Sequence, residues 1–384
     1  MSVTFRVAFR RLFVARLLGT VSLRFAYPFL PTIADGLGTD LATIGVGVAA
    51  GEAAGLLAPL LGRRLDRVGR RRGMTDGLVV SAVGCVGVAA APNVLGFGVA
   101  LFVVAIGRYL YDVSFGAWIG DEVPFERRGR AIGLGELTWS GAFLIGVPVA
   151  GLLASATSWR VPYLVSAGIL LASIPVVRAS LAPKPPTSHA ADGGVGNARP
   201  TWLHVAVFAL SLGAALFFVT VGAFFETDLG MTDRTISIVV VLLGVGEVIG
   251  ALGSAFLADR WGKRRTVMAG VGLLVPSAIA FTVVGSADVA GVAAALMIGL
   301  GFELAFVSAL PLVVEVDESH RAGALGLAVA GLTGARTVAA VLGTRLFDGS
   351  GIDAVVAASV PALAVALLIV AVRVREPVPS APSS

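Results

Sequence analysis

Twelve stretches of roughly 20 mostly apolar residues, parted by short polar breaks, fill this chain of 384 residues. A helix rises about 1.5 Å per residue, so each stretch is long enough to cross the hydrocarbon core of a bilayer. They fall at 12–34, 41–61, 74–92, 96–118, 131–154, 160–179, 204–226, 236–257, 266–285, 289–313, 322–345 and 354–372. Backbone in lipid must satisfy its own polar groups, which predicts an all-α integral membrane protein of twelve transmembrane helices. Composition agrees, since a chain 57% hydrophobic and 14% charged cannot coat a water-soluble fold. The 49 glycines suit helices that pack in lipid through small residues.

An even number of spans puts both termini on one side. Of the 29 lysines and arginines, 22 fall in the termini and in the loops on that side, against three on the other side. The bias predicts cytoplasmic termini, in the cytoplasmic (inner or plasma) membrane. It also accounts for the net charge of +5 without nucleic acid as a partner. Arg16 and Arg24 interrupt any signal-peptide core, so no cleaved leader is expected. The one cysteine, Cys85, lies in an apolar run and excludes a disulfide framework. Residues 183–201 are rich in Pro, Gly, Ser, Asn and Ala and read as a cytoplasmic linker. They divide a six-span bundle, residues 1–182, from a second, residues 202–384.

The halves repeat each other. Asp66-Arg67-x-Gly69-x-Arg71-Arg72 returns 193 positions later as Asp259-Arg260-x-Gly262-x-Arg264-Arg265. Gly51-Glu52-x-x-Gly55 of span two is echoed by Gly246-Glu247-x-x-Gly250 of span eight. The chain is therefore a duplicated six-helix unit.

Gly62-Arg63-Arg64-Leu65-Asp66-Arg67-Val68-Gly69-Arg70-Arg71-Arg72 resembles the signature loop between helices two and three of the major facilitator superfamily. Gly146-Val147-Pro148-Val149-Ala150-Gly151 is similar to the Gly-Pro motif of its antiporters, and Arg108 to its membrane-embedded arginine, although the glycine expected after that arginine is absent. The resemblance implies two pseudo-symmetric six-helix bundles and a drug- or sugar-efflux type of transporter. It also implies a gate on the cytoplasmic side built from Gly62, Asp66, Arg67, Gly69, Arg70, Arg71, Asp121, Asp259, Arg260, Gly262 and Arg264. In it Asp66 would cap span eleven near Ala322, Asp259 would cap span five near Ala131, and the arginines would pair with Asp121 or Glu122. The plainer reading of Arg63, Arg64 and Arg72 is topology anchoring on anionic lipid headgroups.

Six ionisable residues lie near mid-span: Arg24, Glu52, Arg108, Glu247, Glu303 and Arg336. Each costs about 2.5–3.5 kcal/mol even on the lenient insertion scale, so each needs a reason. Three are positive and three negative, which leaves complete mutual neutralisation open to them. All fall in spans one, two, four, eight, ten and eleven, and none in the helices that the resemblance makes peripheral. For Glu52, Glu247 and Glu303 two readings stand: carriers of a coupled proton, or static ion pairs between helices. Arg24 sits beside Pro28 and Pro31, which free backbone carbonyls, and is a candidate for an anionic substrate group or for the counter-charge of a coupling acid. Arg108 and Asp112 are four apart on one helix face and suit each other. Glu136 and Glu226 lie nearer span ends, within reach of interfacial water. Tyr27, Tyr109, Tyr111, Trp139, Phe217 and Phe218 are candidate cavity walls or simple packing. The three histidines form no metal constellation, and no Walker loop or His-Glu-x-x-His motif is present. No cofactor and no enzymatic chemistry are expected.

These residues predict a monomeric secondary transporter working by alternating access, with protons coupled to efflux of a small organic solute. An uptake symporter would use the same fold. A receptor without flux is the outlying alternative.

Overall fold

The computed structural model describes residues 3–57, 65, 68–123, 125–181, 201–284, 288–316 and 321–374. Among them every regular element is a helix. Eight helices of the described residues are long and apolar enough on their own to cross a membrane, and one of these, Gly326–Arg373, carries two spans across a non-helical Gly351. Spans one, two and nine complete the twelve. Span one is Val3–Arg24 followed by Leu30–Leu37, span two is described from Leu41 to Leu57, and span nine is Lys263–Val284. Large side chains such as Val83, Leu95, Phe256 and Val289 lie on the outside, where lipid would be their solvent.

The helices run beyond the apolar stretches. Span one begins at Val3 instead of near residue 12, and span five begins at Phe125 instead of near 131. Arginine-bearing turns therefore belong to the helices, and this moves Arg16 and Glu136 inward.

Two prolines shape the centre. Pro28 has no N–H for the Arg24 carbonyl, and span one breaks there into tight turns, with Tyr27 N–H on Arg24 O at 3.3 Å and Phe29 N–H on Ala26 O at 3.2 Å. Arg24 thus ends a helix. Pro148 likewise denies an N–H to Leu144, and span five slips into a π turn over Ala142–Gly146, with Val147 N–H reaching back to Ala142 O. The Gly-Pro sequence is a register change in the helix.

The repeat is visible in the backbone. Gly69 and Gly262, the matching glycines of the duplicated loop, adopt φ 83° and φ 87° with ψ 156° and ψ 152°. A side chain is strained there, which is why both copies carry glycine. Within the halves, Gly47 and Gly51 seat span two on Phe97 and Leu101 of span four, and Gly246 and Gly250 seat span eight on Leu296 and Leu300 of span ten. This packing turns Glu52 and Glu247 into the protein, where they are 3% and 1% exposed.

The halves meet through spans two and eleven, five and eight, and one and seven. The close approaches run from mid-membrane to the face opposite the termini. Gly45 lies on Ala340 and Thr344, Gly244 on Phe143 and Leu144, Gly151 on Ser237, and Gly222 on Pro28. Thr32 donates to Asp233 at 2.7 Å near that far rim.

Candidate functional site

Two charge clusters occupy the interior. The first lies wholly in the amino-terminal half. Arg16 of span one donates through Nε to Asp112 at 2.8 Å, through Nη2 to Glu136 at 3.0 Å and through Nη1 to Thr138 at 3.0 Å and to the Gly135 carbonyl. Arg108 donates to the other oxygen of Asp112 at 2.8 Å. One carboxylate thus serves two guanidiniums.

The second joins the halves. Arg24 and Glu247 form a two-pronged pair, Nη2 to Oε1 at 2.7 Å and Nη1 to Oε2 at 3.0 Å, across 223 residues of sequence. Nη1 also donates to the Trp139 carbonyl at 2.9 Å, and the guanidinium lies 3.6 Å from the centre of the Phe143 ring. Both side chains are buried, at 7% and 1% exposure. The break at Pro28 follows Arg24 in span one, and the π turn at Ala142–Gly146 carries the Phe143 ring on which its guanidinium lies.

Trp139 stands between the clusters. Its ring centre is 4.1 Å from the Arg108 guanidinium carbon, 4.8 Å from that of Arg336 and 5.3 Å from that of Arg24. Arg24, Tyr27, Trp139, Phe143, Phe218 and Arg336 line a cavity of about 20 Å³, roughly the room one water needs. A larger recess of about 530 Å³ opens at the far rim beside Leu152, Asp233 and Arg234, away from these charges.

The six mid-span charges do not neutralise one another completely. Only Arg24 and Glu247 pair within the set, and Arg108 takes Asp112 instead. Among the described residues Glu52, Glu303 and Arg336 have no ion pair within 4.0 Å. Glu52 accepts the Tyr27 hydroxyl on Oε1, while its buried Oε2 has no hydrogen-bond partner. Glu303 packs against Gly250 of span eight. Arg16 and Glu136, outside the set of six mid-span charges, are central to the first cluster. The signal for Arg16 was an arginine with a helix continuing on both sides of it.

Of the residues assigned to the gate, Gly62, Asp66 and Arg67 lie outside the described residues, as does the side chain of Asp259. Arg70 Nε reaches Asp121 at 3.1 Å, both partly exposed. Arg71 is half-buried and Arg260 exposed at the same end of the bundle. Gly69 and Gly262 form the sharp entries to spans three and nine. Arg264 donates through Nε to the Val370 carbonyl at 3.1 Å and through Nη2 to that of Ala371, satisfying free carbonyls at the end of span twelve. Its observed role is a helix cap between spans nine and twelve. No group of three or more metal-binding side chains occurs among the described residues.

Comparison with known proteins agrees with this architecture. An uncharacterised MFS-type transporter of Bacillus subtilis (strain 168), YwfA, is 26% identical over 141 residues, a match that spans 35% of this chain and about a third, 32%, of that relative. A bacterial homologue of the human lysosomal transporter Spinster, solved in an inward-facing and unoccupied conformation, superposes with a TM-score of 0.71, covering 97% of this chain and 95% of its own at 13% identity. The sequence model of the Major Facilitator Superfamily matches residues 12–205 and again 203–384. With its two halves each matched, this chain belongs to the major facilitator superfamily.

Proposed function

We propose that the protein is a secondary transporter that exchanges protons for a small organic solute by alternating access. It works as a monomer in the cytoplasmic membrane, with both termini cytoplasmic and with efflux as its direction. The observation that carries the reading is the Arg24–Glu247 pair. It ties the halves together at mid-membrane, so it has to part when they rock. A proton on Glu247 removes the negative charge that holds Arg24 and lowers the barrier to parting. Glu303, packed against Gly250 one turn from Glu247 and without an ion pair within 4.0 Å among the described residues, is the second acid able to receive that proton. Efflux is supported by the antiporter-like motif at Gly146-Val147-Pro148, where the π turn lies, and the cytoplasmic termini by the basic bias of their face.

Purified protein in liposomes carrying a pH-sensitive dye tests the reading. A transported solute added to one side should collapse an imposed pH gradient. Glu247→Gln should abolish that proton movement while leaving exchange of solute for solute. If no solute in a broad panel moves protons in either direction, coupling is wrong.

A further inference from the structure

We infer that Arg336 is the seat for a negative charge on the cargo, and that the cargo is an organic monoanion, a carboxylate or sulfonate, with a flat apolar body. The inference rests on the transport reading above.

Four arginines lie inside the membrane, and three are matched. Arg16 holds Asp112 and Glu136, Arg108 holds Asp112, and Arg24 holds Glu247. Arg336 of span eleven is the exception among the described residues, with no hydrogen bond and no carboxylate within 4.0 Å. Its guanidinium rests on the Trp139 face at 4.8 Å and borders the central cavity. A cation kept in a membrane interior with its neighbouring acids, Glu52 and Glu303, beyond 4.0 Å is only partly compensated, and a planar fork of N–H donors suits a carboxylate or sulfonate arriving from outside the protein.

The walls set the rest of the ligand. Tyr27, Trp139, Phe143 and Phe218 give the cavity aromatic faces that stack on a flat apolar body. One guanidinium without an ion pair takes one negative charge, because the charge of Arg24 is already matched by Glu247. Of the two acids that act on Arg336, Glu52 is the stronger and Glu303 the weaker, and Glu52 is held by Tyr27 through one oxygen with the other bare. It is the internal rival for Arg336 that an incoming anion displaces. The present cavity of about 20 Å³ is closed to such a molecule, so it enters only as the walls around Arg24 and Glu247 part.

The test uses the purified 384-residue chain at neutral pH. Thermal-shift titrations are run with 2-naphthoate and 2-naphthalenesulfonate, with the neutral 2-naphthamide and the cationic 2-naphthylmethylammonium as matched heads, and with a panel of further aromatic acids. Acids should raise Tm and the neutral and cationic heads should not. Arg336→Gln should weaken acid binding by about tenfold or more, the scale of a lost charged hydrogen bond. Arg336→Lys should fall between, keeping charge but losing the fork. Glu52→Gln should tighten acids. Should Arg336→Gln fail to fold, the lysine and Glu52 variants carry the comparison. The inference is overturned if none of the acids binds, if the amide or the ammonium binds as tightly, or if the Arg336 variants bind acids like the unaltered protein. Acid binding that depends on Arg336 but drives no flux in liposomes leaves the site standing and sinks the transport reading. Flux of a neutral or cationic solute that Arg336→Gln leaves intact does the reverse.

Discussion

The two interior charge clusters use the same chemistry for opposite ends. Around Arg16 every partner belongs to the amino-terminal half, and Asp112 is shared, so the cluster can travel with its bundle unbroken. The Arg24–Glu247 pair has one partner in each half, and any rocking of the bundles strains it. The arginines are buried alike and the distances are nearly equal, although Glu136 reaches 42% exposure where Glu247 is at 1%. What differs is whether the contact crosses the moving boundary, and that decides whether a buried ion pair braces a domain or latches two together.

The largest effect should come from cutting the bracing cluster. Arg16→Met leaves Asp112 to Arg108 alone and takes from Glu136 its guanidinium, and should lower stability by about 3 kcal/mol, the low end for a broken buried pair because Glu136 is 42% exposed, read as a fall in Tm in detergent. Adding Glu136→Gln should recover part of it. Next, replacing both Arg24 and Glu247 by Met should be neutral or stabilising by up to about 4 kcal/mol, since a matched apolar pair avoids desolvation, yet it should stop transport. A double variant that transports normally would erase the distinction between brace and latch. Trp139→Leu touches both clusters and should cost about 1–2 kcal/mol through lost cation–π contact. Double-mutant cycles with Arg16→Met and Arg24→Met would then show whether the indole couples them. The smallest effect is expected at Arg70–Asp121, an ion pair on the solvated end: Arg70→Ala should cost about 0.2–1 kcal/mol and less in high salt. An equal loss at Arg70 and Arg16 would mean that burial is not what separates them.

Much of this was legible before the structure. Apolar length reveals spans, and the 193-residue repeat reveals two halves. The pairing of Arg108 with Asp112 needs only helical periodicity, because i and i+4 share a face. The partners of Arg16 and Arg24 were not legible, because they lie 96 to 223 residues away and depend on which helices meet. The depth of Arg16 is hidden for a further reason. Its helix starts nine residues before the apolar stretch does, in turns that carry Arg6, Arg10 and Arg11. Hydropathy marks where lipid begins and not where the helix begins. Thirteen residues from Val3, or roughly 20 Å at helical rise, put Arg16 well inside. The π turn was equally hidden, since Gly and Pro announce a disturbance without stating its form.

Trp139 has one more consequence. An indole's emission wavelength responds to electric field across the ring, and three guanidiniums surround this one. Arg108 moves with the tryptophan's own half, whereas Arg336 belongs to the other, and Arg24 is bound to it through Glu247. A variant with Trp139 as its sole tryptophan would therefore carry a native optical gauge of the boundary between halves, changing colour as the bundles separate and needing no attached dye.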